Sequence, residues 1–290
     1  MLGIIKELIL AEVKIDPKIV LQICNQALPV ANYGSVYKLT YNQCEPKVED
    51  LIEFIQEHSL TNNKQVMEIM AGNGFETKHI ATRFPNNTYI CSDIIDYFEP
   101  LKGLIYQKID CTNTNYKHAV QQDLIFIGGA NASMCMLKSL KEVLRLSAFL
   151  QTNIKLGGFA VLSYFEENYT STNFSIDYSV DQIKNYHQKQ YNGLYTHWFS
   201  AVKYDVETQL HHYYDLAAVT ADDELSPTSK YLEIVYNKEP FIARSWQTAI
   251  VMEIMNQAGF EYIGNKWNMD QRFMPFKKVT DVNDWESLLC

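Results

Sequence analysis

Short apolar runs alternate with helical segments between residues 64 and 165, and this alternation strongly constrains the fold of the 290-residue chain. Apolar runs of four to eight residues that alternate with helices are typical of parallel strands buried on both faces. Five runs fit this description: QVMEIMAG, NTYICSDI, LIYQKID, DLIFIGG and FAVLSYF. The sequence therefore predicts an α/β fold around a mostly parallel sheet.

Helical periodicity marks the segments on either side of this region. Residues 1–30 are predicted to form two amphipathic helices separated at Pro17, and residues 47–58 a third. Further helices are predicted at about residues 77–83 and 133–151 within the alternating region. Near the end of the chain, Ser245 is expected to cap a helix that Gly259 terminates, before the strands FEYIG and RFMPFKKV.

The alternation breaks after residue 166. A loop and a short helix around Val180 to His187 are predicted first. The runs LYTHWFSAVKY and LHHYYDLAAV follow, joined by a turn at Asp205 to Thr208, and then YLEIVY. Sequential strands with short turns predict antiparallel pairing.

These patterns divide the chain into four regions. Residues 1–45 form an N-terminal helical or lid segment, and residues 46–166 form the ligand-binding α/β core. Residues 167–240 form an antiparallel insert on the substrate side, and residues 241–290 complete the core sheet.

A glycine turn with a preceding carboxylate follows the first core strand. Glu68 stands near the end of the strand, and Gly72 and Gly74 form a Gly-x-Gly turn directly after it. Glycines allow a sharp turn and close approach of a ligand, which in open α/β folds binds beyond the carboxyl ends of the strands. Thr77 occupies the third glycine position of a dinucleotide-binding pattern, which argues against a pyrophosphate ligand.

Polar and glycine residues also follow the next three strands. Asp93 ends the second strand, where a carboxylate can accept hydrogen bonds from both hydroxyls of a ribose. Asp110, beside Cys111, follows the third and could accept from an adenine amino group. Gly128 and Gly129 follow the fourth and would let the chain pass close to a ligand. Each residue alone could belong to an ordinary turn or helix cap.

Together these residues resemble the class I S-adenosylmethionine (SAM)-dependent methyltransferases. The resemblance covers about residues 33–165 in the order of site residues and 230–280 in topology. EIMAGNG (Glu68 to Gly74) looks like the family's first motif, with Met70 in place of its usual first glycine. The resemblance implies a Rossmann-like seven-stranded mostly parallel sheet with helices on both faces, plus an antiparallel strand insert.

The resemblance also implies that the cofactor is S-adenosyl-L-methionine. Glu68 would contact its methionine end, Asp93 its ribose and Asp110 its adenine. The full set of cofactor-binding residues implied is Tyr33, Tyr41, Glu68, Ala71, Gly72, Asn73, Gly74, Asp93, Ile94, Asp110, Cys111, Ile127 and Gly128.

A closer resemblance is to small-molecule methyltransferases that modify amino-sugars and similar amines. These enzymes carry an antiparallel insert after the fifth strand and an N-terminal lid that contains tyrosines. Tyr33 to Tyr41 and residues 194–236 match the two elements in order, and FIARSWQTAIVMEIMNQAGF looks like a helix of that family. The resemblance implies methyl transfer to a small-molecule amine or hydroxyl.

Methyl transfer depends mainly on alignment of the reactants and exclusion of water, but the acceptor can also need a base. His197, His212 and Tyr37 are the candidate catalytic residues, with His211 and Tyr164 as alternatives. Strand alternation puts His211 and His212 on opposite faces. Each histidine could instead be a surface or packing residue.

Composition excludes or disfavours several other classes. With a net charge of −9 and no basic run, the chain is poorly suited to non-specific nucleic-acid binding. No apolar stretch approaches the roughly 20 residues of a membrane span, and the six cysteines form no CxxC pair. We therefore expect a cytoplasmic protein with reduced thiols and no metal site, either a monomer or a homodimer. A catalytically silent SAM-binding or scaffold protein, an NAD- or nucleotide-binding enzyme and a nucleic-acid methyltransferase stay open as alternatives.

Overall fold

The computed structural model describes two compact units of the chain. Unit 1 comprises Met1–Cys44 and Tyr169–Ala243, and unit 2 comprises Glu45–Asn168 and Arg244–Cys290. The predicted α/β class is confirmed, and each unit holds one mixed sheet. The described residues are 2–30, 45–72, 74–94, 104–128, 133–164, 174–186, 189–264 and 272–282.

Helices and strands are numbered here in chain order. The α-helices of the described ranges are α1 (Leu2–Glu12), α2 (Pro17–Gln26), α3 (Glu45–Glu57), α4 (Phe75–Arg83), α5 (Leu140–Asn153) and α6 (Thr248–Gln257). The strands are β1 (Leu28–Val30), β2 (Gln65–Ile69), β3 (Thr88–Asp93), β4 (Ile105–Lys108), β5 (Gln122–Ile127), β6 (Ile154–Tyr164), β7 (Phe174–Tyr186), β8 (Lys189–Asp205), β9 (Leu210–Thr220), β10 (Tyr231–Asn237), β11 (Phe241–Arg244), β12 (Phe260–Tyr262) and β13 (Arg272–Lys278). Within the described part of the chain, every helix is too short or too polar to cross a membrane.

The sheet of unit 2 has seven strands in the order β12-β13-β6-β5-β2-β3-β4. Neighbours from β6 to β4 pair in parallel, whereas β13 pairs antiparallel with both β6 and β12. All of the strands predicted in the alternating region are present. Because the parallel strands share one direction, β2, β3, β4 and β5 bring their carboxyl ends to the same edge of the sheet.

Helix boundaries in unit 2 follow local capping chemistry. Ser139 caps α5 with a reciprocal bond to Glu142, so the long helix predicted from residue 133 begins instead at Leu140, after a short 3₁₀ turn. The prediction that Ser245 caps the last helix is wrong, because α6 begins after Gln247. Gly259 does follow α6 with a φ of 78°, and a Cβ there would lie 2.6 Å from the Thr280 carbonyl oxygen.

Unit 1 contains a six-stranded sheet in the order β1-β10-β9-β8-β7, with β11 paired to β9. The predicted antiparallel pairing of the runs in residues 194–236 is confirmed, while β1 adds a parallel edge beside β10. The helix predicted around Val180 to His187 is wrong, because β7 is an extended strand paired with β8. Long-range pairing with an established strand overrides the weak local signal of a polar segment.

Helices α1 and α2 pack on the sheet of unit 1 through their periodic apolar faces. Their buried residues are Ile5, Ile9, Ile19, Val20, Ile23 and Cys24. These side chains meet Phe199, Leu216 and Ile234 of the sheet. The apolar residues that recur at helical spacing in α1 and α2 are therefore the ones that form this core.

A carboxyl group lies buried in the same sheet. Asp215 is 1% exposed, and its Oδ2 accepts a hydrogen bond of 3.1 Å from the side-chain amide of Asn237. Ser200 and Trp198 also donate to this carboxyl group. Burial outweighs these bonds and raises the pKa of Asp215 from 3.8 to about 7.

We expect Asp215 to make the stability of the fold fall as the pH rises from about 4 to about 7. The folded state holds the proton more tightly than the unfolded chain, so raising the pH through this window costs at most about 4 kcal/mol. Asp215→Asn keeps the side-chain shape without the charge and should remove this loss. Urea unfolding at pH 5 and pH 8 measures the difference, with Asp177→Asn, an exposed carboxyl on β7, as the control. Equal pH dependence in the Asp215→Asn variant and the unmodified protein would contradict the expectation.

Candidate functional site

The turn between β2 and α4 is built from residues with left-handed backbone. Met70, Gly72 and Gly74 have φ angles of 55°, 56° and 79°. At Gly74 a Cβ would lie 2.7 Å from Leu104 Cδ1 and 2.9 Å from Cys91 Sγ. Both glycines of the predicted turn therefore occupy positions that favour glycine, and Met70 holds the same backbone region with a side chain.

Glu68 supplies the N-terminal cap of α4. Gly74 precedes the helix and has no side chain to satisfy its first amides. Glu68 Oε2 accepts from the Thr77 amide at 3.1 Å and from the Thr77 hydroxyl at 2.5 Å. A carboxyl group is favoured at this end of a helix. Its hydrogen bonds with Thr77 connect the end of β2 to the first turn of α4.

The surroundings of Glu68 oppose its ionisation. Glu68 is 0% exposed and Glu76, in the first turn of α4, is 4% exposed. Burial first, and then the neighbouring Glu76 carboxyl, raise the pKa of Glu68 well above its ordinary value, and Thr77 opposes them. Cys91 Sγ lies 3.9 Å from Glu68 Oε2, and its pKa is raised by burial and by the same carboxyl.

Gly128 packs closely against this carboxyl. Ile127, fully buried at the end of β5, pairs with Ile69, and the Gly128 amide donates to the Ile69 carbonyl at 3.3 Å. A Cβ on Gly128 would lie 3.2 Å from Glu68 Oε1 and 3.1 Å from the Met70 carbonyl oxygen. Among the described residues, Glu68 Oε1 has no hydrogen-bond donor.

Asp93 holds the glycine turn from the neighbouring strand. Its Oδ2 accepts a hydrogen bond of 2.9 Å from the Gly72 amide, and the Tyr106 hydroxyl donates to the Gly72 carbonyl at 2.8 Å. Ala71 is buried in the same turn, and its amide donates to the Ser92 carbonyl at 3.0 Å. The turn is therefore fixed by groups of β3 and β4.

Asp110 follows β4 in a local turn of its own. Its Oδ1 accepts from the Thr112 amide at 2.8 Å and from the Thr112 hydroxyl at 2.7 Å. Cys111 is buried, and burial, with the charges of Asp110 and Asp93, raises the pKa of its thiol to about 12. Asp93 pairs with Lys108, two residues before Asp110, so both carboxyl-bearing residues lie at the same edge of the sheet.

The structure thus brings together, at the ends of adjacent strands in unit 2, most of the residues that the resemblance implied for a ligand site. These are Glu68, Ala71, Gly72, Gly74, Asp93, Asp110, Cys111, Ile127 and Gly128. Ile94 follows β3 and is 50% exposed. Tyr33, Tyr37, Tyr41 and Asn73 lie outside the described residues.

Some polar groups at the site were not selected from the sequence. Thr77 and Glu76 lie in the first turn of α4, where polar side chains commonly meet helix amides, and this position could have indicated them. Tyr106 lies on β4 and has no local signal that links it to Gly72, because the contact spans 34 residues.

The two candidate catalytic histidines lie far apart in unit 1. His197 is 0% exposed, with Nδ1 2.7 Å from the Tyr178 hydroxyl and Nε2 2.9 Å from the Asp222 carbonyl oxygen. Burial lowers its pKa, which favours a neutral ring whose nitrogens are both engaged. His197 pairs with Ala218 and His212 with Lys203, so about 20 Å of strand separates the histidines. The two cannot act on one substrate atom.

The alternative candidates are also packed in the interior. The Tyr164 hydroxyl lies 3.2 Å from Thr248 Oγ1 and 2.6 Å from Met274 Sδ, deep in unit 2. His211 is 1% exposed, with its ring 4.7 Å from that of Tyr204. His212 is half-buried, so the two neighbouring histidines differ in exposure as strand alternation predicts.

No family model and no curated protein matches the sequence. Solved structures share the fold at low sequence identity. CalS10, a SAM-bound amino pentose methyltransferase from Micromonospora echinaspora, matches with a TM-score of 0.61 and 13% identity, covering 87% of this chain and 99% of that one.

Two further structures match to a similar degree. Streptomyces venezuelae DesVI has a TM-score of 0.64 and 12% identity, covering 86% of this chain and 98% of that one. The sugar N-methyltransferase KedS8 from Streptoalloteichus sp ATCC 53650 has a TM-score of 0.60 and 12% identity, covering 87% and 95%. The resemblance drawn from the sequence is thus confirmed at the level of the fold.

The left-handed backbone of Met70 leads to a stability prediction. We expect Met70→Gly to be more stable than Met70→Ala by about 1 kcal/mol, because only glycine adopts this conformation without steric cost. Urea unfolding of the two variants isolates the backbone term, since neither keeps the methionine side chain. Thr82, exposed within α4, provides the control pair. There the alanine variant should be more stable than the glycine variant by a similar amount, because glycine destabilises a helix. Equal stability of the two Met70 variants would show that the turn is unstrained.

Proposed function

We propose that this chain is a SAM-dependent methyltransferase that acts on a small-molecule amine or hydroxyl. The observation that carries the proposal is the buried Glu68 carboxyl, whose Oε1 lies beside Gly128 and has no hydrogen-bond donor among the described residues. Asp93 and Asp110 follow the next two strands of the same sheet edge. Solved methyltransferases share this fold.

The chemistry of the residues present fits the cofactor. Glu68 Oε1 offers a buried acceptor for the ammonium group at its methionine end. A side chain at Gly128 would crowd that acceptor, because its Cβ would lie 3.2 Å from Oε1. Asp93 would hold the ribose hydroxyls and Asp110 the adenine amino group, with Ile94, Cys111 and Ile127 along the same strand ends. When bound, the cofactor supplies a methyl group on a positively charged sulfur, which is an excellent leaving group.

The role of these residues in the reaction is to bind and to orient. Asp93 and Tyr106 already hold Gly72, so the turn requires little reorganisation when a ligand arrives. Alignment of this kind is the main aid that a protein can give to an in-line displacement. Three carboxyl groups at one sheet edge also create a potential that favours a cationic ligand.

In this proposal the seven-stranded sheet of unit 2 is a Rossmann-like core with helices on both faces, formed by residues 46–166 and completed by 241–290. In the same proposal the antiparallel segment 167–240 serves recognition of the acceptor, and the N-terminal segment 1–45 is the lid segment. The amino pentose and sugar N-methyltransferase activities of the neighbours support an amine acceptor. Tyr33 and Tyr41 belong to the lid, and Tyr37 and His212 are the candidates for removing a proton.

One alternative also has an observation in its favour. A SAM-binding protein without turnover would keep Glu68 and Asp93 but would need no base. The engagement of both His197 nitrogens in the core of unit 1 agrees with that alternative. Binding without conversion of any amine or hydroxyl acceptor would distinguish it from the enzyme.

We expect the protein to bind S-adenosylhomocysteine, and NAD not to displace it. Asp93→Ala should weaken binding by about tenfold to a hundredfold, because it removes charge-assisted hydrogen bonds to the ribose and the support of Gly72. Isothermal titration calorimetry measures both effects. Asp93→Asn keeps the shape of the side chain, and Asp177→Ala, an exposed carboxyl on β7, is the control for charge alone.

A second measurement tests turnover. Product S-adenosylhomocysteine should form when SAM is mixed with a panel of amino-sugars, and at low SAM it should form at least about tenfold more slowly with the Asp93→Ala protein, in line with its weaker binding. Undetectable binding at millimolar ligand in a folded sample would overturn the proposed function.

A further inference from the structure

Unit 1 contains a cavity of about 530 Å³ that the proposed function does not use. Its walls come from the segment between α1 and α2, from strand β7 and from the loop between β9 and β10. Ile15, Val180 and Leu225 belong to its apolar lining, and Tyr178 and Glu224 to its polar lining. A volume of roughly 300–1,000 Å³ with apolar walls and a few polar groups is typical of a site for a small molecule.

The loop that lines this cavity is anchored at both ends. At the end of β9 the Asp222 amide donates to Thr220 Oγ1 at 3.2 Å. Farther along, the Ser226 amide donates to Ser229 Oγ at 2.9 Å, and the side-chain amide of Gln22 in α2 donates to the Ser229 carbonyl at 3.4 Å. The walls are therefore held in place before a ligand arrives, which lowers the cost of binding.

A chain of hydrogen bonds fixes the polarity of Tyr178. His197 Nε2 lies 2.9 Å from the Asp222 carbonyl oxygen, and because a carbonyl can only accept, Nε2 carries the proton. In a neutral ring Nδ1 must then accept, so the Tyr178 hydroxyl, 2.7 Å away, donates to it. Burial lowers the pKa of His197 and raises the pKa of Tyr178 to about 12, so both groups keep these forms at neutral pH. The Tyr178 oxygen can therefore only accept a hydrogen bond from a ligand.

The charges that line the cavity favour a cation. Asp16, Asp223 and Glu224 are acidic, and among the described lining residues only Lys14 is basic. Asp16 is engaged as the N-terminal cap of α2, where its carboxyl accepts from a backbone amide at 2.9 Å. Asp223 and Glu224 are exposed and can meet a ligand. The polar lining thus offers mainly acceptors and negative charge.

We propose that this cavity binds a small primary amine in its cationic form. The ammonium group donates to the Tyr178 oxygen and to Glu224, and the apolar body of the ligand lies against Val180 and Leu225. This inference goes beyond the proposed function, because every lining residue belongs to unit 1 and none is among the residues assigned to the cofactor. A free molecule is expected instead of a lysine side chain of a partner, because the cavity has the volume of a whole small ligand.

A titration of the full-length protein with 2-phenylethylamine at pH 7, followed by saturation-transfer NMR, tests the charge preference. The amine should bind saturably at about millimolar concentration. It should bind at least about tenfold more tightly than 2-phenylethanol or 3-phenylpropionate, which carry a neutral or a negative group in place of the ammonium. The measurement needs no cofactor, so its outcome is independent of the proposed function.

Val180→Lys tests the location of the site. Val180 is 37% exposed, so the variant should fold, and its cation should weaken binding of the amine by at least about tenfold through occupation and repulsion. Val206→Lys makes the same change at an exposed position in the turn between β8 and β9. This matched control should bind the amine as the unmodified protein does.

Two further variants test the acceptors. Tyr178→Phe should weaken binding of the amine by about tenfold, because it removes a hydrogen bond to a charged group. Glu224→Gln should weaken it by about threefold, since an exposed ion pair contributes less. Because Tyr178→Phe also removes the donor to His197, thermal melting must show that this variant is folded.

Each outcome supports the amine site or overturns it. Lack of saturable binding of 2-phenylethylamine up to about 10 mM would overturn the site itself. Equal affinity for the amine and the alcohol would overturn the assignment of a cationic ligand, and unchanged affinity in a folded Val180→Lys protein would overturn the location. Tighter binding of a capped lysine than of 2-phenylethylamine would overturn the choice of a free small molecule.

Discussion

The candidate site depends on a carboxyl group buried beneath the first turn of a helix. Glu68 lies one residue before the end of β2, and through Thr77 it caps helix α4, which a glycine precedes. Helix amides have no partner of their own in the first turn, so the side chain that reaches them fixes the path of the chain between strand and helix. Gly72 and Gly74 lie on that path, and Gly128 approaches it from the end of β5.

Burying the carboxyl group carries a free-energy cost that the protein's own contacts do not fully offset. Thr77 satisfies one oxygen, whereas the other meets no donor among the described residues and a second acid lies close by. Buried polar groups without partners are uncommon in folded proteins. A cation bound beside Glu68 would offset part of this free-energy cost. The buried carboxyl is therefore a physical basis for recognising a positively charged ligand.

Elements that depend on local sequence patterns could be predicted, whereas elements that depend on contacts with other parts of the chain could not. The strands of unit 2 and the residues at their ends could be predicted, because buried parallel strands are continuous apolar runs and glycines mark the turn. Strand β7 could not, because its polar residues become a strand only through pairing with β8. The position of α6 failed for a related reason, since Ser245 has capping chemistry but the backbone turns helical two residues later. The sequence does not show whether a histidine faces a ligand site or the protein core. For His197, only its contacts with Tyr178 and Asp222 show that it lies in the core.

The engagement of His197 also bears on how such a protein could work. An amine acceptor needs only an available lone pair, and the leaving group of a sulfonium is already good, so a strong base is not a requirement of the chemistry. What methyl transfer does require is a methyl donor that is held in a fixed position and shielded from water. The turn at Gly72 is itself fixed by Asp93 on one side and by Tyr106 on the other. In unit 1 the buried carboxyl of Asp215 is likewise engaged within its own sheet, by Asn237. The proposed catalytic power therefore lies in the alignment that unit 2 imposes, and His197, whose ring nitrogens are both engaged, is better explained as part of the structure of the antiparallel sheet.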